Sequence, residues 1–377
     1  MIYDAIMDEL NSREVYLADI YAPPFIYSIT CHMFNIYNQT NSVYFEGGRV
    51  PHIPLHLCFT APAGFMKSFF QTLFVGDKYS ILHGTNIPAT QMTEITTAGL
   101  IGGHDINKWT STAEEVRGLI DEYKMGIIAT EEFDAITSAT KAGYNTTLEH
   151  QLLTILDRGV YSKRTKLGEK TNKVFTTFWI ANQPDKQINV SSGIMRRFLH
   201  LLYAPTPTEF QIFREKWWKQ KNLKPSSNLD RVRRIIDNFP NLLNQIQRVV
   251  FRDEVYKFYD KHNLLPYECS IFDRVLIGHH LSVYGADRII EIGLDDIIKE
   301  HLERFIKWKT AITIGADLYQ IYTLIKSNGG LSVKELYNYL IKLNISIVNV
   351  EDKITRLRKA GIIKIKDGLL VIANEVM

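Results

Sequence analysis

The feature that most constrains this chain is an apolar, strand-like run that leads through a turn of small residues into an apolar helix start. Residues 55–60 form the run, 61–66 the turn, and Lys67 and Ser68 open the helix. In a strand–GxxxxGK[ST]–helix loop, backbone N–H groups hold phosphates, lysine neutralises them and serine ligates Mg²⁺. The match is partial, because alanine and methionine replace the two glycines of the pattern. The residues predicted to hold phosphate are Ala63, Gly64, Phe65, Met66, Lys67 and Ser68.

The composition limits the classes of protein to which this chain can belong. The chain has 377 residues, 45% hydrophobic and 23% charged, which fits a folded protein of two or three domains. The net charge is only +3, so nucleic-acid binding would depend on local basic patches. The three cysteines are far apart, which favours a reducing interior and argues against a cysteine zinc site. No apolar run approaches the roughly 18 residues of a membrane span. We therefore expect a cytoplasmic protein with no membrane partner.

Strands and helices alternate between residues 55 and 202. The candidate strands are 55–60, 80–83, 125–130, 174–181 and 198–203. This alternation predicts an α/β core with a mostly parallel sheet and helices on both faces.

Helical patterns flank this core. Residues 1–20 predict a short helix that ends at Ala22-Pro23-Pro24, and a second helix is expected from Phe25 to Tyr37. The apolar spacing in 231–250 and 272–306 also predicts helices.

Two acids end the strand candidate 125–130. Glu131 and Glu132 follow the apolar run about 60 residues after the loop. An ATPase needs one acid to support Mg²⁺ and a second to deprotonate the attacking water. The alternative is a buried strand that ends in two solvated acids.

Four further polar residues lie where they could act on a bound nucleotide or its attacking water. Asn182 ends an apolar strand and could orient a water, although asparagine before Pro184 is also an ordinary turn residue. Arg197 precedes the last strand, where an arginine can reach a neighbouring subunit's γ-phosphate. Arg196 and Arg197 are both candidates for this role, and both could instead be surface residues. Arg274 lies early in a predicted helix from which it could reach phosphate.

The order of loop, acid pair, asparagine, arginine and helical segment is that of an AAA+ ATPase. The chain resembles the minichromosome maintenance (MCM) group of AAA+ proteins from about Asp19 to its C-terminus. The matching segments are Ala22–Tyr27, Thr97–Leu100, Gly126–Asp134, Asn182–Pro184 and Arg197-Phe198.

The resemblance implies an AAA+ P-loop NTPase core with a helical lid and a C-terminal winged helix, binding ATP and Mg²⁺. It implies that Ser68 and Glu131 support Mg²⁺, Glu132 is the catalytic acid and Asn182 is the sensor-1 residue. It also implies that Arg197 is the arginine finger and Arg274 the sensor-2 arginine, both acting on the neighbour's nucleotide. Glu131 replaces the family's aspartate, which adds a methylene where metal geometry is tight and predicts slow turnover.

A basic segment lies where the family has a β-hairpin that points into the central channel. Asp157 to Lys173 contains six basic and two acidic residues. A hairpin that carries Lys163, Arg164 and Lys166 would contact a DNA backbone without reading sequence. A solvated charged hairpin is the alternative.

The last 60 residues predict three helices and a hairpin. Ser332 and Glu335 form a capping-box pattern, and Asp367-Gly368 predicts a two-residue turn. Such a winged helix would contact DNA through Lys353, Arg356 and Lys359, or would contact protein instead.

The domains predicted from this organisation are a helical lead-in (1–50), an AAA+ core (51–205), a helical lid region (206–312) and a winged helix (313–377). Since about 20 residues precede the resemblance, we expect a minimal form without the family's N-terminal domain. Such a form is typical of a virus, plasmid or other mobile element, here with an archaeal host.

The predicted function is that of a ring-forming ATPase, a hexamer and a potential DNA helicase. It would couple hydrolysis to DNA remodelling, unwinding or translocation in replication. The alternative is a nucleotide-gated DNA-binding or scaffold protein, an initiator or regulator of replication with little turnover.

Overall fold

The structure is a computed structural model. It describes residues 1–46, 52–61, 66–94, 99–100, 102–106, 113–132, 146–165, 168–183, 193–203, 211–216, 226–343, 347–359 and 362–373.

Helices and strands alternate through most of the chain. The helices are α1 (Ile2–Ser12), α2 (Ala18–Asn41), α3 (Lys67–Phe74), α4 (Leu119–Glu122), α5 (Thr146–Arg158), α6 (Leu229–Leu243), α7 (Asp253–Lys261), α8 (Pro266–Val283), α9 (Asp296–Ile314), α10 (Ala316–Ser327), α11 (Val333–Lys342) and α12 (Val350–Lys359). The strands are β1 (Tyr44–Phe45), β2 (His56–Thr60), β3 (Ala89–Glu94), β4 (Gly102–Ile106), β5 (Ala113–Arg117), β6 (Ile127–Glu132), β7 (Val160–Thr165), β8 (Gly168–Lys173), β9 (Thr177–Asn182), β10 (Phe198–Leu202), β11 (Arg248–Phe251), β12 (Ile289–Ile292), β13 (Ile363–Lys366) and β14 (Leu369–Ile372).

A five-stranded parallel sheet lies at the centre, with strand order β10-β2-β9-β6-β3. Every residue of β2, β9 and β10 is buried, as expected for parallel strands that are covered on both faces. On one face, Leu57 and Phe59 share a hydrophobic cluster with residues of α2 and α3. On the other face, Cys58 shares a cluster with residues of α5, such as Leu152. The chain is therefore an α/β protein with a parallel sheet between helices, as predicted.

The strand predicted at 80–83 is wrong. Residues 80–83 form turns, and β3 at 89–94 takes the edge of the sheet instead. Ile81 and Leu82 are buried without forming a strand, whereas β3 is rich in polar residues. An edge strand has only one neighbour, so its sequence does not show the apolar run of a central strand.

The predicted helix break at Pro23 and Pro24 is also wrong. Both prolines lie inside α2, and the break comes earlier, between Ser12 and Ala18. Glu14 and Leu17 there have positive φ angles, which interrupt the helix. Proline fixes φ at a helical value, so its cost is a lost hydrogen bond and a steric clash. The burial of α2 against α8 and β2 compensates for this cost.

A second parallel sheet replaces part of the helical prediction for 231–250 and 272–306. It has the order β1-β11-β12 and joins Tyr44-Phe45 to β11 and β12. Four-residue strands between long helices are too short to interrupt an apolar helical pattern, which explains the error.

The C-terminal elements have a hydrophobic cluster of their own, formed by α10, α11, α12 and the β13–β14 hairpin. The predicted capping box is confirmed, since Ser332 Oγ accepts from Glu335 N and the Glu335 carboxylate accepts from Ser332 N. The predicted turn is also confirmed, with positive φ at both Asp367 and Gly368.

Within the described residues, no helix is long and apolar enough to cross a membrane.

Candidate nucleotide-binding site

The carboxyl ends of β2, β9 and β6 meet at one edge of the central sheet, where open α/β sheets bind ligands. The predicted phosphate loop follows β2, Asn182 ends β9, and Glu131 and Glu132 end β6. Thr60 pairs with Asn182 in the register of β2 and β9. The strand order places Asn182 between the loop and the acids. The fold therefore brings these predicted residues to one edge.

Lys67 is the first residue of α3 and is buried. Its ammonium Nζ donates a hydrogen bond to the Ala61 carbonyl, at 2.7 Å, just beyond β2. Ser68 follows in the first turn of α3 and is half-buried. The predicted residues Ala63, Gly64 and Phe65 lie outside the described residues, so the structure fixes the two ends of the loop.

Met66 precedes α3 in a left-handed conformation, with φ of 37° and ψ of −25°. A non-glycine residue is uncommon there. Glycine adopts this conformation without strain, and glycine is the residue that the phosphate-loop pattern has at this position.

Glu131 is half-buried and its Oε1 accepts a hydrogen bond from Gln91 Nε2 at 3.2 Å. Gln91 Oε1 in turn accepts from Thr72 Oγ1 of α3 at 3.0 Å. These bonds link β6, which carries Glu131, to α3, which carries Lys67 and Ser68. Sequence reasoning missed Gln91 because the strand that holds it was placed at 80–83.

Glu132 is the last residue of β6, and its side chain lies outside the described residues. The predicted catalytic acid is therefore located by its backbone alone.

Asn182 is buried, and its Nδ2 donates to Cys58 Sγ at 3.4 Å. Register partners share a face of the sheet, so Thr60 lies on the same face as Asn182. Thr130 pairs with Ile180 and lies on this face too. The hydroxyls of Thr60 and Thr130 are buried and have no hydrogen-bond partner among the described residues. This end of the sheet therefore offers polar groups for a further ligand or loop.

The two predicted arginines lie at the opposite edge. Arg197 ends a 3₁₀ turn (Met195–Arg197) immediately before β10. Arg274 Nη1 donates to the carbonyl of Pro54, which precedes β2, at 3.3 Å. Both arginines are thus at the amino ends of parallel strands, away from Lys67.

Asp157 lies with these arginines. Arg197 Nε donates to Asp157 Oδ1 at 2.5 Å, and Nη2 contacts Oδ2. Burial lowers the pKa of Arg274 and the positive charge of Arg197 lowers it further, while the negative charges of Asp157 and Asp273 raise it. The structure therefore pairs Arg197 directly with Asp157, whereas Arg274 donates to the Pro54 carbonyl. Arg196 is exposed and lines a separate cavity, so the two finger candidates have different surroundings and the choice between them stays open.

The β7–β8 hairpin follows α5. Lys163 pairs with Lys170, and Arg164 with Glu169, in an antiparallel ladder. The side chains of Lys163 and Arg164, and all of Lys166, lie outside the described residues. The predicted hairpin exists, and its DNA contacts stay a prediction.

The three predicted DNA-binding residues of α12 differ in their exposure to solvent. Lys353 is half-buried, whereas Arg356 and Lys359 are exposed. A groove between α12 and β13 is lined by Lys359 together with Arg358 and Lys364. Sequence reasoning missed these last two because the groove depends on how the hairpin packs against the helix.

The described residues contain no group of three histidine, cysteine, aspartate or glutamate side chains that could hold a metal ion. Mg²⁺ in a nucleotide site takes only one or two protein ligands besides phosphate and water. Ser68 and Glu131 both offer oxygen donors. Glu131 is joined through Gln91 to Thr72, one turn beyond Ser68 on α3, so the residue types fit such a site.

The chain matches no protein-family model, and comparison with curated proteins also finds no match. The case for a function therefore depends on the arrangement of the residues.

Proposed function

We propose that this chain is an ATP-binding AAA+ ATPase of MCM type that assembles as a ring, a hexamer in the simplest case. It would couple hydrolysis to the remodelling, unwinding or translocation of DNA in replication. The proposal rests on how the predicted site residues are distributed between the two edges of the central sheet. Lys67, Asn182 and the acids of β6 lie at the carboxyl edge of one parallel sheet, and Arg197 and Arg274 lie at the amino edge.

The carboxyl edge has the groups that a nucleotide site requires. Lys67 and the N-terminus of α3 would bind the β- and γ-phosphates. Mg²⁺, when bound through Ser68 and Glu131, would neutralise phosphate charge. Glu132 would accept the proton of the attacking water, and Asn182 would orient that water.

The position of the arginines supports a site shared between two subunits. β2 has five residues and is about 17 Å long at about 3.3 Å per residue. An arginine at its amino end does not reach the phosphate loop at its carboxyl end. A second copy of the chain, turned so that its amino edge faces this loop, would supply both guanidinium groups.

DNA would be engaged by the β7–β8 hairpin and by the C-terminal unit. The basic content of the hairpin and the Arg358, Lys359 and Lys364 groove support backbone contacts. We infer that α6–α9 form the lid and that α10–β14 form the winged helix.

Steady-state ATP hydrolysis, with and without single- and double-stranded DNA, tests the proposal. We expect Lys67→Ala and Glu132→Gln to abolish hydrolysis, with ATP binding retained in Glu132→Gln because the base does not hold the phosphates. Glu300→Gln, an exposed glutamate in an ion pair on α9, is the matched control. ATP binding without turnover in the wild type would favour the nucleotide-gated scaffold instead, and absence of ATP binding would reject both.

Mixing tests the shared site. Arg197→Ala should lose hydrolysis because the finger is missing from every interface. Adding Lys67→Ala subunits should restore part of it, since each Lys67→Ala subunit presents an intact Arg197 to a neighbour with an intact loop. Lack of restoration would count against a site between subunits.

A further inference from the structure

Asp157 makes the dominant contacts of Arg197. Its two carboxylate oxygens contact Nε and Nη2, while Nη1 donates to the Gly193 carbonyl. The Arg197 side chain is 13% exposed and that of Asp157 is 42% exposed. The guanidinium is thus held by the Asp157 carboxylate, which is partly open to solvent, and by the Gly193 carbonyl.

This geometry leaves Arg197 able to bind a second anion. A guanidinium has five N–H groups, and the contacts to Asp157 and Gly193 use one each on Nε, Nη1 and Nη2. Nη1 and Nη2 each keep a further N–H, and such a pair suits a phosphate. A two-point contact with a carboxylate fixes the plane of the guanidinium, so it determines the direction of that pair.

Asp157 also lies at the base of the hairpin. It is in the last turn of α5, and β7 begins after Gly159. Gly159 has a φ of +60°, and a Cβ there would lie 2.7 Å from both His52 Nδ1 and the Val174 carbonyl oxygen. Val174 N donates to the Gly159 carbonyl at 2.7 Å, which closes the base of the hairpin. The backbone at Gly159 packs closely against His52 and Val174, so we expect a tilt of the hairpin to be transmitted to the last turn of α5.

We propose that Asp157 is a positioning residue for Arg197 that ties the direction of its guanidinium to the β7–β8 hairpin. This inference rests on the proposed function and deepens it. Nucleic acid bound to the hairpin of one subunit would set the arginine that this subunit presents to its neighbour's nucleotide. Hydrolysis at one site would thereby respond to DNA held by the adjacent subunit.

The test compares Asp157→Asn and Asp157→Glu with the wild type in ATP hydrolysis with and without single-stranded DNA. Asp230→Asn is the matched control, because Asp230 also pairs with an arginine, Arg233, on a different surface. We expect Asp157→Asn to lower kcat by about 10- to 100-fold with little change in KM, since misplaced catalytic groups cost rates of this order. Stimulation by DNA should be lost as well. Asp157→Glu, which keeps both oxygens, should recover part of kcat and of the stimulation.

An experiment with mixed subunits distinguishes a loss of Arg197 positioning from a folding defect. In a ring that combines Asp157→Asn with Lys67→Ala subunits, some intact loops face an intact Asp157–Arg197 pair, and turnover should rise. A defect confined to the fold of the Asp157→Asn subunit would not be relieved. A wild-type kcat and DNA response in Asp157→Asn, or no rise on mixing, would overturn the inference while leaving the ATPase proposal intact. A wild-type protein that neither binds nor hydrolyses ATP would overturn both.

Discussion

At the scale of single residues, the backbone conformation of Met66 and the burial of its side chain have opposite effects on stability. Its left-handed backbone at the start of α3 costs about 1–2 kcal/mol for a residue with a Cβ. Its side chain is buried within the main hydrophobic cluster, and truncation of such a side chain costs about 2–5 kcal/mol. The energy gained by burial exceeds the backbone cost, so methionine is retained where the backbone would favour glycine.

We predict that Met66→Gly lowers the free energy of unfolding by about 1–3 kcal/mol, because lost burial exceeds the relieved strain. Met66→Ala loses the same burial but keeps the left-handed penalty. It should therefore be less stable than Met66→Gly by about 1 kcal/mol. Urea unfolding of the three proteins gives both differences. A Met66→Gly protein that is more stable than the wild type would show that strain dominates.

At the scale of elements, a buried hydrogen-bond network joins α2, α8 and α9. Tyr27 Oη bonds His301 Nδ1 at 2.8 Å and His279 Nδ1 at 3.1 Å. His279 Nε2 bonds Asp295 Oδ2 at 2.6 Å, and Asp295 Oδ1 caps α9 by accepting from Ile298 N. Buried polar groups are costly when unpaired, so this network fixes how the three helices pack.

Tyr27→Phe should lower the free energy of unfolding by about 1–3 kcal/mol, because it removes the partner of two buried imidazole nitrogens. Tyr256→Phe is the control, since Tyr256 is 48% exposed, and its change should be close to zero. Urea unfolding at neutral pH measures both. Equal stabilities of Tyr27→Phe and the wild type would mean that the network is not stabilising.

The sequence could predict the strands whose residues are apolar because helices bury them on both faces. β2, β6, β9 and β10 are buried by helices on both faces, so each is an apolar run. β1, β3, β11 and β12 are short or polar strands whose sequences show no long apolar run of their own. The same reasoning applies to the site. Lys67 and Asn182 follow apolar strands and could be found, whereas Gln91 and Asp157 act through partners remote in sequence.

At the scale of the whole molecule, buried histidines couple the fold to pH. Burial lowers the pKa of six histidines: that of His52 to about 3, that of His56 well below its ordinary value, and those of His32, His200, His280 and His301 to about 4. An unfolded histidine has a pKa of about 6.5. Between about pH 6.5 and 4 the unfolded chain therefore binds protons that the folded chain does not, so stability must fall as the pH falls.

One carboxyl opposes this trend. Burial raises the pKa of Asp273 to about 6, despite the hydrogen bond from Tyr259 and the charge of Arg274, which both lower it. Its protonation in the folded state recovers stability as the pH falls through 6. One such group returns about 1 kcal/mol at pH 5.5, against about 1 kcal/mol lost for each of the six histidines.

We therefore predict that the free energy of unfolding falls by roughly 5–7 kcal/mol between about pH 7.5 and 5.5, a large part of the 5–15 kcal/mol typical of a folded protein. Urea unfolding at pH 7.5, 6.5 and 5.5 measures the drop, and its slope counts the protons taken up. His200→Gln should reduce the drop by about 1 kcal/mol, since it removes one titrating group. Equal stability at the three pH values would mean that the histidines are not held neutral by the fold.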